Sequence, residues 1–280
     1  MAVHDIIIPL DPDPSREAGS VAVYALSVAE RLGARLTTLA PSFSYLLSSV
    51  AGIQPPPQIL EDMIRASEDA ARDALAAFAV RAGSAGIEVG QEIVPTGPAG
   101  FADHFARRAR TCDLAILPQS IDEGSSWRSM LIEAVLFDSG RPVIVVPYIQ
   151  TGPARFDRIL VAWDGSKEAA RAIHDALPLL GSARSVEVLM VQADGREPGS
   201  GADPEALAAH LKRHGLPATG RSSMANGIEV ADALLSHAAD SGSDLIVMGG
   251  YAHSRLRHLV FGGATSGILK TMTTPVLMAH

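Results

Sequence analysis

The segment VMGGYAHSRLRHLVFGGATSG, Val247 to Gly267, places two glycine pairs, two arginines and two histidines directly after a run that reads as a buried strand. Backbone without side chains at Gly249-Gly250 and Gly262-Gly263 can approach a ligand closely or take positive φ. The second pair precedes a helix start, so the free N–H groups of Gly263, Ala264 and Thr265, with the helix dipole, make a place for phosphate. Arg255 and Arg257 can add charge-assisted contacts. A second candidate is VAWDGS, Val161 to Ser166, where an apolar run ends in Asp164 and Ser166 is a good helix N-cap. The plainer reading is that Asp164-Gly-Ser is a turn and cap, and that the glycines only permit a tight loop.

Other chemistries find less support. His253 and His258 are five apart in a loop and His280 closes the chain, with no accompanying carboxylate or cysteine pattern, so no metal site is expected. There is no Gly-x-Ser-x-Gly elbow for a hydrolase nucleophile, and GGATSG lacks the Gly-Lys-Ser/Thr ending of a P-loop. DPDPS, Asp11 to Ser15, is too short for a calcium loop, and its prolines fit a turn. The single cysteine, Cys112, excludes an intrachain disulfide framework and reads as a small buried hydrophobe in a reducing compartment. A net charge of −8 argues against a general nucleic-acid or anionic-membrane partner. With no leader pattern and no run of about 20 apolar residues, a cytoplasmic chain is expected.

The elements that must position these residues come from an internal repeat. HDIIIPLDPDPSREAGSVAVYALSVAERLG, His4 to Gly33, matches FDRILVAWDGSKEAARAIHDALPLLG, Phe156 to Gly181: an apolar strand ending in Asp, a Ser, then a helical pattern. CDLAILPQS (Cys112 to Ser120) answers SDLIVMGGY (Ser243 to Tyr251), and RPVIVVP (Arg141 to Pro147) answers TPVLMAH (Thr274 to His280). Asp113 and Asp244 stand 131 apart and Pro142 and Pro275 stand 133 apart, but Asp11 and Asp164 stand 153 apart. The first copy therefore carries extra residues, which its Pro and Gly content places in a loop or lid at Pro41 to Gln58.

In the second copy, strands are expected at 158–163, 185–192, 218–224, 244–249 and 275–279, with helices between them. Near-continuous apolar strands separated by helices predict a parallel sheet covered on both faces, and right-handed crossovers make it doubly wound. The expected fold is α/β, two tandem doubly wound, Rossmann-like domains at 1–150 and 155–280. Ligands of such sheets bind beyond the carboxyl ends of the strands, where strand order reverses.

The repeat, VAWDGS and the C-terminal glycine stretch together resemble a tandem universal stress protein over essentially the whole chain. That family's nucleotide-binding members carry Gly, two residues, Gly, nine residues, then Gly and Ser or Thr. Gly249, Ala252, Gly262 and Gly263 stand at those places, so the spacing is kept while Ala252 and Gly263 depart from the pattern. The resemblance implies ATP or a related nucleotide, with Mg2+ accompanying it. Ala162, Asp164 and Val191 would meet adenine and ribose, Met248 and Gly249 would flank ribose and phosphates, and Gly262 to Thr265 would hold the phosphates. It also implies final strands that pair across a pseudo-twofold axis, and a homodimer.

The first copy keeps Asp11, but the stretch matching the glycine loop, Pro118 to Gly140, brings Asp122, Glu123 and Asp138 where phosphate would sit. A degenerate site is expected there. The expected function is a stress-response sensor or regulator that binds nucleotide in its second domain and acts on a protein partner. The alternatives are a nucleotide hydrolase or phosphotransferase, with His253 or His258 as its base, and a nucleotide-free interaction scaffold.

Overall fold

The computed structural model describes residues 2–12, 19–42, 56–120, 127–193, 202–251 and 263–280. Ala252, His253, Arg255, Arg257, His258 and Gly262 lie outside the described residues, as do Asp122, Glu123 and most of the expected loop after Pro41.

The chain forms two compact units, one built from 3–141 with 151–153 and the other from 142–150 with 154–280 and the first two residues. In the first, β1 (Asp5–Pro9), β2 (Arg35–Ser42), β3 (Val89–Pro95) and β4 (Leu114–Pro118) form a parallel sheet in the order β3-β2-β1-β4. Ile6, Ile7, Ile8, Leu36, Leu39, Leu114 and Ile116 are fully buried along it, as strands covered on both faces must be. The helices are α1 (Gly19–Leu32), α2 (Pro57–Ser84), α3 (Pro98–Ala109) and α4 (Trp127–Ala134), with a π-helical turn at Val135–Ser139 that stops at Gly140 in the left-handed region.

In the second unit, β6 (Arg158–Ala162), β7 (Ser185–Gln192), β8 (Ala218–Met224), β9 (Leu245–Gly249) and β10 (Val276–Ala279) are parallel in the order β8-β7-β6-β9-β10. Strand order thus reverses between β6 and β9, as it does between β1 and β4. Strand β5 (Val143–Val146) runs antiparallel to β10, with Val145 opposite Val276 and Val143 opposite Met278. The final strands of the two copies do pair. Helices α5 (Lys167–Leu180), α6 (Pro204–Arg213), α7 (Val230–Ser241) and α8 (Ala264–Thr271) complete the unit.

The repeat is functional at the level of single hydrogen bonds. Asp113 Oδ2 accepts from the N–H groups of His4 and Asp5, and Asp244 Oδ2 accepts from those of Asp157 and Arg158. In each copy the Asp before the fourth strand fixes the entry to the first. The extra length of the first copy differs from the expected loop, because Pro57 and Gln58 already belong to α2, which runs 28 residues against 10 in α6. A proline at the first helical position is pre-organised to start a helix, and Ala71, Leu75, Phe78 and Ala82 supply its buried stripe.

Candidate functional site

Register assembles the candidate residues at one sheet edge. Ala162 lies opposite Leu189 on β7, and Val161 opposite Val247 on β9. Extending that register by one to three residues sets Ala162 level with Met248, and Asp164 level with both Val191 and Gly250. Ala162, Asp164, Val191, Met248 and Gly249 therefore converge at the carboxyl ends of the three strands that flank the point of reversal. The start of α8 is tied to the same edge, because the Tyr251 N–H donates to Thr265 Oγ1 at 3.1 Å.

Asp164 is exposed, and its Oδ1 accepts from the Ser166 N–H at 2.9 Å in a turn that Gly165 completes at φ +77°. Ser166 caps α5, its hydroxyl accepting from the Ala169 N–H at 3.1 Å. The turn-and-cap reading of Asp-Gly-Ser is thus fulfilled, and the Asp164 side chain stays exposed. Beside it, Trp163 holds an indole N–H that is buried without a hydrogen-bond partner among the described residues.

The glycines divide by cause. A Cβ on Gly249 would stand 2.6 Å from the Ala169 nitrogen and 2.9 Å from the Glu168 carbonyl carbon, so this glycine is required by the close approach of α5. Gly250 is pinned on both sides: its N–H donates to the Ala279 carbonyl, and His280 Nδ1 donates to its carbonyl, each at 2.9 Å. Tyr251 follows at φ +54°, uncommon for a bulky residue. Gly263, the N-cap of α8, sits at φ +105°, ψ 178°, a region open essentially to glycine alone. No hydroxyl side chain fits that backbone, which explains the departure from Ser or Thr at this place. Among the described residues no side chain caps α8, and none has an atom within 4 Å of a Cβ built on Gly263. The N–H groups of Ala264 and Thr265 therefore begin a helix with no side-chain cap among the described residues.

Thr265 is 8% exposed, and its oxygen is engaged by Tyr251, which orients the hydroxyl proton away from that amide. Glu168, in the first turn of α5, is buried beside Gly249, with Lys167 Nζ 3.3 Å from Oε1. Trp163, Glu168 and Tyr251 were not legible as site residues; the only signal for Glu168 is an acidic side chain in a helix first turn.

The matching edge of the first unit is built differently. Asp11 Oδ2 lies 2.8 Å from Arg128 Nη2, and the two side chains are 9% and 10% exposed. The guanidinium lies over the Trp127 ring, 5.6 Å from its centroid, and its Nε is buried without a partner among the described residues. Cys112 is inert: burial, then the Asp5 charge, push its thiol up to about 11.

Comparison with known proteins agrees with this architecture. Residues 155–280 match the universal stress protein family. A 46-residue stretch is 41% identical to the universal stress protein Slr1230 of Synechocystis sp. (strain ATCC 27184 / PCC 6803 / Kazusa), a match that spans 16% of this chain and only 16% of that relative. A universal stress protein from Archaeoglobus fulgidus DSM 4304 has the same fold over 99% of this chain and 96% of its own, at 17% identity and a TM-score of 0.73. A functionally unknown protein from Pseudomonas aeruginosa PAO1 covers 99% of this chain and 92% of its own, at 15% identity and a TM-score of 0.56.

Proposed function

We propose that the second unit, whose residues 155–280 match the universal stress protein family, binds ATP or a related nucleotide and that occupancy regulates a protein partner in a cytoplasmic stress response. One observation carries this reading: the strand-reversal edge holds an exposed carboxylate, Asp164, and is tied through Tyr251 to a helix start, Gly263 to Thr265, that has no side-chain cap among the described residues.

The residues fit such a ligand by chemistry. Asp164 Oδ2 is an acceptor for ribose hydroxyls. Ala162, Val191 and Met248 offer apolar surface for the base. The Ala264 and Thr265 amides, and the Thr265 hydroxyl proton, are donors for phosphate oxygens. Gly262 and Ala252 extend the phosphate end by resemblance alone. The first turn of α8 holds no acidic residue, so Mg2+ would arrive on the phosphates. No general base is assigned: His253 and His258, which the sequence nominates for hydrolysis, lie outside the described residues. Pairing of two chains into a homodimer belongs to the same reading.

The test is mass spectrometry of small molecules released from purified protein, with ATP titration calorimetry on the wild type and Asp164→Ala. Bound ATP or ADP in the wild type and at least tenfold weaker binding in the variant support the site. No heat at millimolar ATP leaves the scaffold reading in its place.

A further inference from the structure

The last turn of α6 carries a histidine pair that the nucleotide reading does not use. His210 lies in the last turn of α6 and His214, four residues on, is its C-cap, so the two side chains follow one another along the helix end. Both are exposed, while Ala208 and Leu211 are buried and seat the helix. Their ring centroids are 4.7 Å apart, with the planes at 65°.

That separation can be compared with what a shared metal ion requires. A nitrogen-bound ion lies about 2.0–2.1 Å from each ligating nitrogen, hence about 3.2 Å from each ring centroid. Two such rings have centroids about 4.5 Å apart at a 90° ligand angle and about 5.2 Å apart at the tetrahedral angle. The observed value falls between these limits. The helix C-terminus adds partial negative charge at this turn, while Lys212 and Arg213 between the two histidines add positive charge. Among the described residues no group of three or more ligating side chains converges, so this is a two-point site whose other positions are left to water.

We propose that His210 and His214 form a bidentate surface site for a divalent d-block cation, holding Cu2+ more tightly than Zn2+ as imidazole ligands do. The earlier expectation of no metal site weighed only the loop histidines and His280; the signal here is His-x-x-x-His at a helix C-terminus.

Copper(II) chloride titrated into the full chain, followed by electron paramagnetic resonance and equilibrium dialysis, tests it on the wild type, His210→Ala, His214→Ala and the double variant His253→Ala/His258→Ala. The wild type is expected to bind one more equivalent of Cu2+ at micromolar concentration than either α6 variant, with loss of a two-nitrogen signal. The double loop variant should match the wild type, and circular dichroism should be unchanged throughout, since both α6 histidines are exposed. Equal uptake by the wild type and His210→Ala, or loss confined to the loop variant, would overturn the proposal.

Discussion

Asp11 and Asp164 end the first strands of the two copies, and the molecule uses them in opposite ways. Asp11 is closed into an ion pair with Arg128 from α4, both side chains about nine-tenths buried. Asp164 is exposed, and its one recorded hydrogen bond is local, from the Ser166 amide. The helix that follows the fourth strand separates the copies: α4 sends an arginine back to the strand end, whereas α8 opens on a glycine whose backbone no other residue readily adopts. Duplication supplied one carboxylate twice. In the first copy a guanidinium holds that carboxylate as a structural tie.

The largest effect expected from breaking this contrast is at the buried pair. Arg128→Met removes the guanidinium from a carboxylate that is itself about nine-tenths buried and should cost about 3–5 kcal/mol, read as a lower urea midpoint. Asp164→Asn, at the exposed counterpart, should cost under about 1 kcal/mol. Equal losses would mean that the two carboxylates are not differently employed.

Next comes Gly249→Ala, whose new methyl meets the backbone of α5 at 2.6 Å. Overpacking of this kind costs about 1–3 kcal/mol, so thermal unfolding should move down even without ligand. An unchanged melting temperature would return Gly249 to a purely ligand-driven role. Ser166→Ala removes the α5 cap and should cost about 1 kcal/mol, while Ser166→Thr keeps most of it.

Cys112 gives the smallest effect and a clear sign. With the thiol pushed up to about 11 mainly by burial, the reactive thiolate is scarce at neutral pH and grows as pH approaches that value. Iodoacetamide should therefore leave the folded chain almost unmodified at pH 7.5 and react readily once urea unfolds it. Rapid modification of the folded chain would show an exposed thiol instead.

Much of this contrast was legible in the sequence, and the remainder has a common cause. Apolar runs between helical patterns foretold the strands, and the paired Asp-Leu steps at 113 and 244 foretold the repeat, because both depend on local periodicity. Asp164 and Gly249 were placed at one edge because ligands of a doubly wound sheet bind where strand order reverses, and Val191 joined them through the family resemblance. The Asp11–Arg128 pair spans 117 residues and leaves no local pattern. Nor does the contact of Gly249 with α5, or the Tyr251 amide on Thr265, since each exists only after packing. The α2 extension was hidden by the prolines before it, which read as loop but also start a helix.

If the second unit alone holds nucleotide, photolabelling will reveal it. The full chain is irradiated with 8-azido-ATP, with and without excess ATP, and the modified peptides are mapped. The account predicts ATP-protected labelling confined to peptides containing Ala162 to Ser166, Val191 or Met248, and none around Asp11 or Arg128. Protected labelling in the first unit, or no protected labelling anywhere, would contradict it.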